Sequence, residues 1–307
     1  MAWFRKLGQE AYNAAMRCVA QIVVLTVVCL SICTPSVKAQ NANCPPDSAS
    51  ASDNKEPSGP EVSITGVTFS GFIQLPMLDQ DQIASSIKQQ SYDSVDGVIE
   101  EGLERVRGGW QNRGYAKVQV SDEASRVTST PDGQRVVLSV HVDEGLQYNL
   151  GKITFKNNRA ISNVAALRSL FPLQDGHLFR RDKIAKGLEN LRKAYGEFGY
   201  INYTGVPDTT FDDEKKLAFL EIDIDEGKLF YLTRVDILGL DGPSQREVLK
   251  DMRVRQIYNQ RVFELSLKKH ASLLGFLHDD PWHVAKRVDE RMGTVAITLD
   301  ARPCPVH

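Results

Sequence analysis

Cysteine is scarce in this chain and poorly placed for chemistry. Of five cysteines in 307 residues, Cys18, Cys29 and Cys33 fall in or beside one apolar run near the N-terminus. The other two, Cys44 and Cys304, sit at opposite ends of the remaining chain. No Cys-x-x-Cys and no Cys/His cluster offers a zinc site. Gly-x-Ser-x-Gly, P-loop and His-Glu-x-x-His motifs are absent as well. The densest polar set is His278-Asp279-Asp280 with His270 and His283. It falls at a turn after a predicted helix, where polar residues belong anyway, so a metal-dependent enzyme using these histidines is a distant reading. No catalytic site and no cofactor are expected, nor a small-molecule substrate. Charge of one sign is also lacking: the formal net charge is −2. With no concentrated basic patch, nucleic acid is not an expected partner.

Long apolar runs are limited to one. It extends from Val19 to Ile32, broken by Gln21, Thr26 and Ser31, and comes after the positive residues Arg5, Lys6 and Arg17. Val37-Lys38-Ala39 then supplies small residues at the spacing of a cleavage site. This is the pattern of a secretory signal over residues 1–39, and the run is shorter than the roughly 18 apolar residues of a membrane-spanning helix. An uncleaved anchor is the competing reading. Secretion permits a disulfide, and for Cys44 and Cys304 a bridge and two free thiols both stay open. Residues 40–61 are rich in Asn, Ser, Pro and Asp and read as a disordered linker. Beyond it the charge drifts. Residues 62–145 carry −5, residues 146–227 carry 0 and residues 228–307 carry +3.

What is present in abundance is repetition. Val106-Arg-Gly-Gly-Trp110-Gln-Asn-Arg-Gly114-Tyr115 recurs as Leu191-Arg-Lys-Ala-Tyr195-Gly-Glu-Phe-Gly199-Tyr200, and more faintly as Leu267-Lys-Lys-His-Ala271-Ser-Leu-Leu-Gly275-Phe276. The glycines are spaced by 85 and 76 residues, the length of small domains rather than solenoid units. Ile99, Leu103, Val106 and Trp110 step by 4, 3 and 4 residues, as do Ile184, Leu188, Leu191 and Tyr195, so each set lies on one helix face. Gly114, Gly199 and Gly275 read as helix stops needing a positive φ. The aromatics after them, Tyr115, Tyr200 and Phe276, are expected to start the next strand and fold onto the core. In the third copy the apolar set is Phe263, Leu267 and Leu274, which predicts a rotated or shorter helix.

Each copy closes on a strand of period two. Leu138, Val140 and Val142, then Leu220, Ile222 and Ile224, then Val295, Ile297 and Leu299 alternate with mostly polar residues. Such a sheet is covered on one face only. Each repeat therefore reads β-α-α-β-β: an α+β unit whose two helices cover one face of a three-stranded sheet. The predicted divisions are 62–145, 146–227 and a divergent 228–302, with 303–307 as a tail. Two joints are explicit. Asp143-Glu144-Gly145 leads to Tyr148, and Asp225-Glu226-Gly227 leads to Phe230. Two residues separate each glycine from its aromatic, which predicts close packing of neighbours. The third copy ends Asp300-Ala-Arg-Pro303, without the Glu-Gly.

The Asp-Glu-Gly joint with its aromatic, the Gly-Tyr after the second helix and the element order together resemble POTRA domains, the modules found in series on BamA-type outer-membrane assembly factors. The resemblance covers about residues 62–302 and is most specific from Asp143 to Phe230. It implies a periplasmic or outer-membrane-associated protein, with outer-membrane protein clients or a barrel-bearing assembly machine as partners. No β-barrel is expected within the 307 residues. Binding is expected through backbone, by strand addition to an open sheet edge. In POTRA-like folds that edge is the middle strand in sequence, which maps to 116–123 and 201–211. The candidate residues are Ala116, Val118 and Val120, and Ile201, Asn202, Tyr203, Thr204 and Val206, with Pro207 expected to end the second ladder. A scaffold of the cell-division type, anchored by one span, is the alternative if the apolar run stays uncleaved.

Overall fold

The computed structural model describes residues 62–90, 92, 95–131, 133–275 and 283–302. The signal and linker, Cys44, Cys304, Phe276, His278 and the last five residues lie outside the described residues.

The first segment opens with β1 (Val62–Ser70), followed by α1 (Met77–Lys88) and α2 (Val95–Gln111). Three strands come next: β2 (Gln119–Asp122), β3 (Arg126–Thr130) and β4 (Gly133–Asp143). β1 and β4 run parallel, and β2 and β3 both pair antiparallel with β4. To the expected plan the structure thus adds a second short piece of edge. Leu138, Val140 and Val142 are buried, as the alternation predicts, with Val106 and Trp110 from α2 on the same core.

The second segment holds β5 (Asn149–Lys156), α3 (Val164–Ser169), α4 (Arg181–Glu197), β6 (Thr204–Asp212) and β7 (Leu217–Asp225). Its sheet order is β5-β7-β6, and among the described residues β6 is paired along one side only. Leu191, Tyr195, Leu220 and Ile222 form its core. The third segment runs β8 (Tyr231–Leu238), α5 (Gly242–Leu249), β9 (Gln256–Ile257), α6 (Gln260–Lys269), α7 (Ala271–Leu274), β10 (Val284–Asp289) and β11 (Thr294–Asp300). Its order is β10-β11-β8-β9. The helix equivalent to α4 is shortened, as the altered apolar set predicts. It breaks at His270, and Phe263, Leu267 and Leu274 are buried.

The three stop glycines take positive φ, 88° at Gly114 and Gly199 and 76° at Gly275. The strands do not start at Tyr115 and Tyr200. β2 begins at Gln119 and β6 at Thr204, in each case after a turn. Tyr115 is buried and Tyr200 half-buried against their own cores instead. The reason is steric: the stop glycine hands its carbonyl to the next segment, and the chain must turn once more before it can reach the sheet edge.

Candidate functional site: two joints and an open edge

Each joint is built on one backbone string. The Gly114 carbonyl accepts a hydrogen bond from Tyr148 N at 2.8 Å, and the Tyr148 carbonyl accepts from Phe179 N at 2.9 Å. At the second joint the string repeats: Phe230 N donates to the Gly199 carbonyl at 3.0 Å, and Tyr258 N donates to the Phe230 carbonyl at 2.8 Å. The helix stop of one segment is thus the docking point of the next. A Cβ on Gly114 would lie 3.1 Å from Leu178 Cδ2, and one on Gly199 would lie 2.5 Å from Ile257 Cγ2. At Gly275 the same atom would meet nothing within 4 Å. Glycine is therefore required by φ at both joints, and at Gly199 by close approach as well.

The Asp-Glu pairs complete these joints. Asp143 and Asp225 accept from the backbone N–H of Gly145 and Gly227, closing a tight turn. Glu144 is buried and takes three donors: Gln74 N at 2.7 Å, Leu75 N at 3.0 Å and the Trp110 indole N–H at 2.8 Å. Charge-assisted hydrogen bonds of this kind contribute about 1.5–3 kcal/mol each. Glu226 makes the corresponding contacts, from Ala160 N at 2.7 Å and Tyr195 Oη at 3.3 Å. Burial, reinforced by the Glu226 charge, pushes the Tyr195 phenol well above its ordinary range. Tyr195 in turn stacks on Tyr203, ring centroids 4.4 Å apart.

Several residues assigned to the binding edges belong to this machinery instead. Ala116 lies in the turn after Gly114 and packs against the second core, and Ile201, 85 positions later, packs against the third. Val118 is buried in the first core, and Tyr203, also buried, has its phenol pushed up to about 12 by burial. Asn202 sits in the same turn, its amide 3.4 Å from Glu290. Of the eight candidates only Val120, Thr204 and Val206 lie on strands. The short apolar runs after each Gly-Tyr looked like strand because they are buried, but the surface that buries Ala116 and Ile201 comes from the following segment.

The open edge itself is β6. Its ladder with β7 is continuous from Thr204↔Asp225 to Asp212↔Leu217. It passes through Pro207↔Ile222 rather than ending there, because an edge strand needs ladder donors on one side only. The equivalent edges of the other two segments are blunted. The first is split between β2 and β3, with Asp122 and Arg126 at the break. The third, β10, carries Lys286 opposite the core residue Ile297, its ammonium 5.1 Å from the Tyr258 ring centroid. An inward-pointing charge is a device against edge pairing.

Side chains also cross the first joint. Lys117 Nζ and Tyr148 Oη both donate to Asp213 Oδ1, at 2.7 and 2.8 Å, and hold that carboxyl below the ordinary aspartate range. Asp213 reads from sequence only as a hairpin turn; nothing local marks it as a contact. Of the candidate histidines, His270 and His283 are among the described residues. His270 is buried with Nε2 2.7 Å from Asp251 Oδ2, and His283 Nδ1 lies 2.6 Å from the Asp300 carbonyl. Among the described residues no group of three or more His, Cys, Asp or Glu could hold a metal ion.

Residues 148–227 match the POTRA family model, described as surface antigen variable number repeat. The chain is 22% identical over 222 residues to the outer membrane protein assembly factor BamA of Buchnera aphidicola, covering 68% of this chain and 35% of that protein. It is also 22% identical over 180 residues to BamA of Neisseria meningitidis serogroup B, covering 57% of this chain and 22% of that one. It thus spans about a third or less of the relatives it matches. The fold is similar to the crystal structure of Haemophilus influenzae BamA POTRA3-5, with a TM-score of 0.57 and 22% identity over 80% of this chain and 99% of that one. With the matched model falling on the segment that lies between the two joints, residues 148–227 are similar to the POTRA family, and the chain, of mixed α+β fold, resembles the POTRA region of BamA-type outer-membrane protein assembly factors.

Proposed function

We propose that this protein is a non-catalytic interaction module of outer-membrane protein assembly. Three POTRA-like units, 62–145, 146–227 and 228–302, form it, and it works on the periplasmic side of the outer membrane. Its ligand is an extended segment of a client or of an assembly-machine subunit, added as a strand to β6. The observation that carries this reading is the nine-residue uninterrupted ladder of β6, free along its outer side among the described residues, where the equivalent edges of the other two segments are split or charged. Strand addition draws affinity from main-chain hydrogen bonds and so tolerates many client sequences. The joints fix where that edge points by fastening each segment to the next through backbone.

Pro207 has no N–H to give, so the donors of β6 that face outward are those of its parity, Gly205, Thr209 and Phe211. Thr209→Pro removes the central one and leaves the ladder to β7 intact. The probe is a peptide of about ten residues with alternating apolar and polar side chains, the pattern of a barrel strand. Wild type is expected to bind it, and Thr209→Pro to lose binding while keeping its circular dichroism and melting temperature. Equal binding by the two proteins would refute the assignment to β6.

A further inference from the structure

Two exposed apolar features lie far apart in sequence and carry opposite charge. One is the turn between β1 and α1 together with the start of α1, where Phe72, Met77 and Leu78 are 84%, 77% and 70% exposed. This turn is pinned: Leu75 within it is buried, and Glu144 holds the N–H groups of Gln74 and Leu75. The clamp does not require apolar side chains there. The second segment's turn, held by Glu226 through the Ala160 N–H, reads Asn157-Asn-Arg-Ala-Ile-Ser-Asn163, and one half-exposed apolar residue, Val164, follows it at the start of α3. Asp79 follows Leu78 on α1, and Asp81 lies two residues further on. Asp79 is paired with Arg113, whereas Asp81 is exposed and has no partner among the described residues.

The other feature is a groove of about 960 Å³ between the end of α4 and the α5–β9–α6 region. Phe198, Ile257, Val262 and Leu265 line it, each about half exposed. Arg253 stands on its rim, exposed and without a partner among the described residues, in the segment that carries +3 against −5 for the first. Apolar surface concentrated in this way marks an interaction site, and within one chain neither feature covers the other, since both remain open.

We propose that they are partners between molecules: the Phe72–Leu78 turn of one copy seats in the groove of a second copy, with Asp81 facing Arg253. The two surfaces differ, so the contact is heterologous, and repetition extends it head to tail. A single turn in a groove makes a small interface, which implies weak, concentration-driven and salt-sensitive assembly.

Sedimentation velocity of the purified chain over a concentration series tests this. Wild type is expected to grow beyond dimer with concentration and to shrink in high salt. Phe72→Ser/Leu78→Ser and Val262→Ser/Leu265→Ser should each be monomeric, yet a mixture of the two should form a dimer and stop there, because one intact contact remains per pair. Arg253→Glu should weaken assembly about tenfold, the size of a lost charge pair. Combining it with Asp81→Arg should restore it. All these side chains are exposed, so melting temperatures should match wild type. A wild type that stays monomeric, double variants that still assemble, or a silent mixture would each overturn the proposal; the mixture also separates it from association through any other part of the chain.

Discussion

The first and second segments close on a glutamate; the third does not. Glu144 is enclosed by two backbone donors and the Trp110 indole, and Glu226 is half-buried with one backbone donor and the Tyr195 hydroxyl. At the corresponding places the third segment has Ala301 for the glutamate and Ala271 for the helix aromatic. Its last strand ends instead on Asp300, whose carboxylate accepts from Arg302 N at 3.1 Å and from the Arg302 guanidinium at 2.8 and 2.6 Å. Glutamate and aromatic are present together twice and absent together once. That pattern argues that each is there for the other: an indole or phenol donor on the buried side of a helix needs an acceptor, and a buried carboxylate needs donors. The first joint uses the device at full strength, the second partly, and the end of the third replaces it with a local ion pair.

Glu144→Ala gives the sharpest break in this comparison. It strands two backbone N–H groups and one indole N–H, so the expected loss is about 3 kcal/mol, read as a fall in the urea midpoint of the first segment's transition. Next come the stop glycines. Gly199→Ala must hold φ near 88° and push Ile257 away from 2.5 Å, an expected cost of about 2 kcal/mol. Gly275→Ala meets no neighbour within 4 Å, and the left-handed backbone alone should cost about 1 kcal/mol. Equal costs at the two positions, measured by thermal unfolding, would mean that the approach of the third segment is slack. Glu226→Ala should cost about 1 kcal/mol, less than Glu144→Ala, because one of its bonds is long and the group is half-exposed to water.

Much of this was legible beforehand, and the rest was hidden for a physical reason. Period-two alternation placed β4, β7 and β11, and the 4-3-4 steps placed α2 and α4, because both patterns report burial within one segment. The joints were legible as repeats of Asp-Glu-Gly and Gly-Tyr, but not as one object. That the Gly114 carbonyl receives Tyr148 is a contact across segments, and no period encodes it. Ala116 and Ile201 were misplaced on strands for the same reason. Leu178 and Ile257, which close over the stop glycines, belong to no motif at all. Pro207 misled in the opposite sense: a ladder-breaking residue is harmless where one side of the strand is already open.

The smallest expected effect tests whether charge or packing fastens the first joint. Lys117 reaches Asp213 across it, while its ammonium lies 5.3 and 4.9 Å from the Tyr148 and Phe211 ring centroids. The pair is exposed, so Lys117→Ala should lower the melting temperature by less than any change above, and molar salt should erase the difference. The Asp213 carboxyl is held down by the Lys117 ammonium first and the Tyr148 hydroxyl second. A carboxyl lowered on folding stabilises at pH values above its unfolded range and loses that contribution as pH falls through its folded value. The gap between wild type and Lys117→Ala should therefore be widest near neutrality and close below the ordinary aspartate range. A gap that survives both acid and salt would assign the effect to the lysine stem covering the two rings, and the first joint would then be held by backbone, glutamate and apolar contact alone.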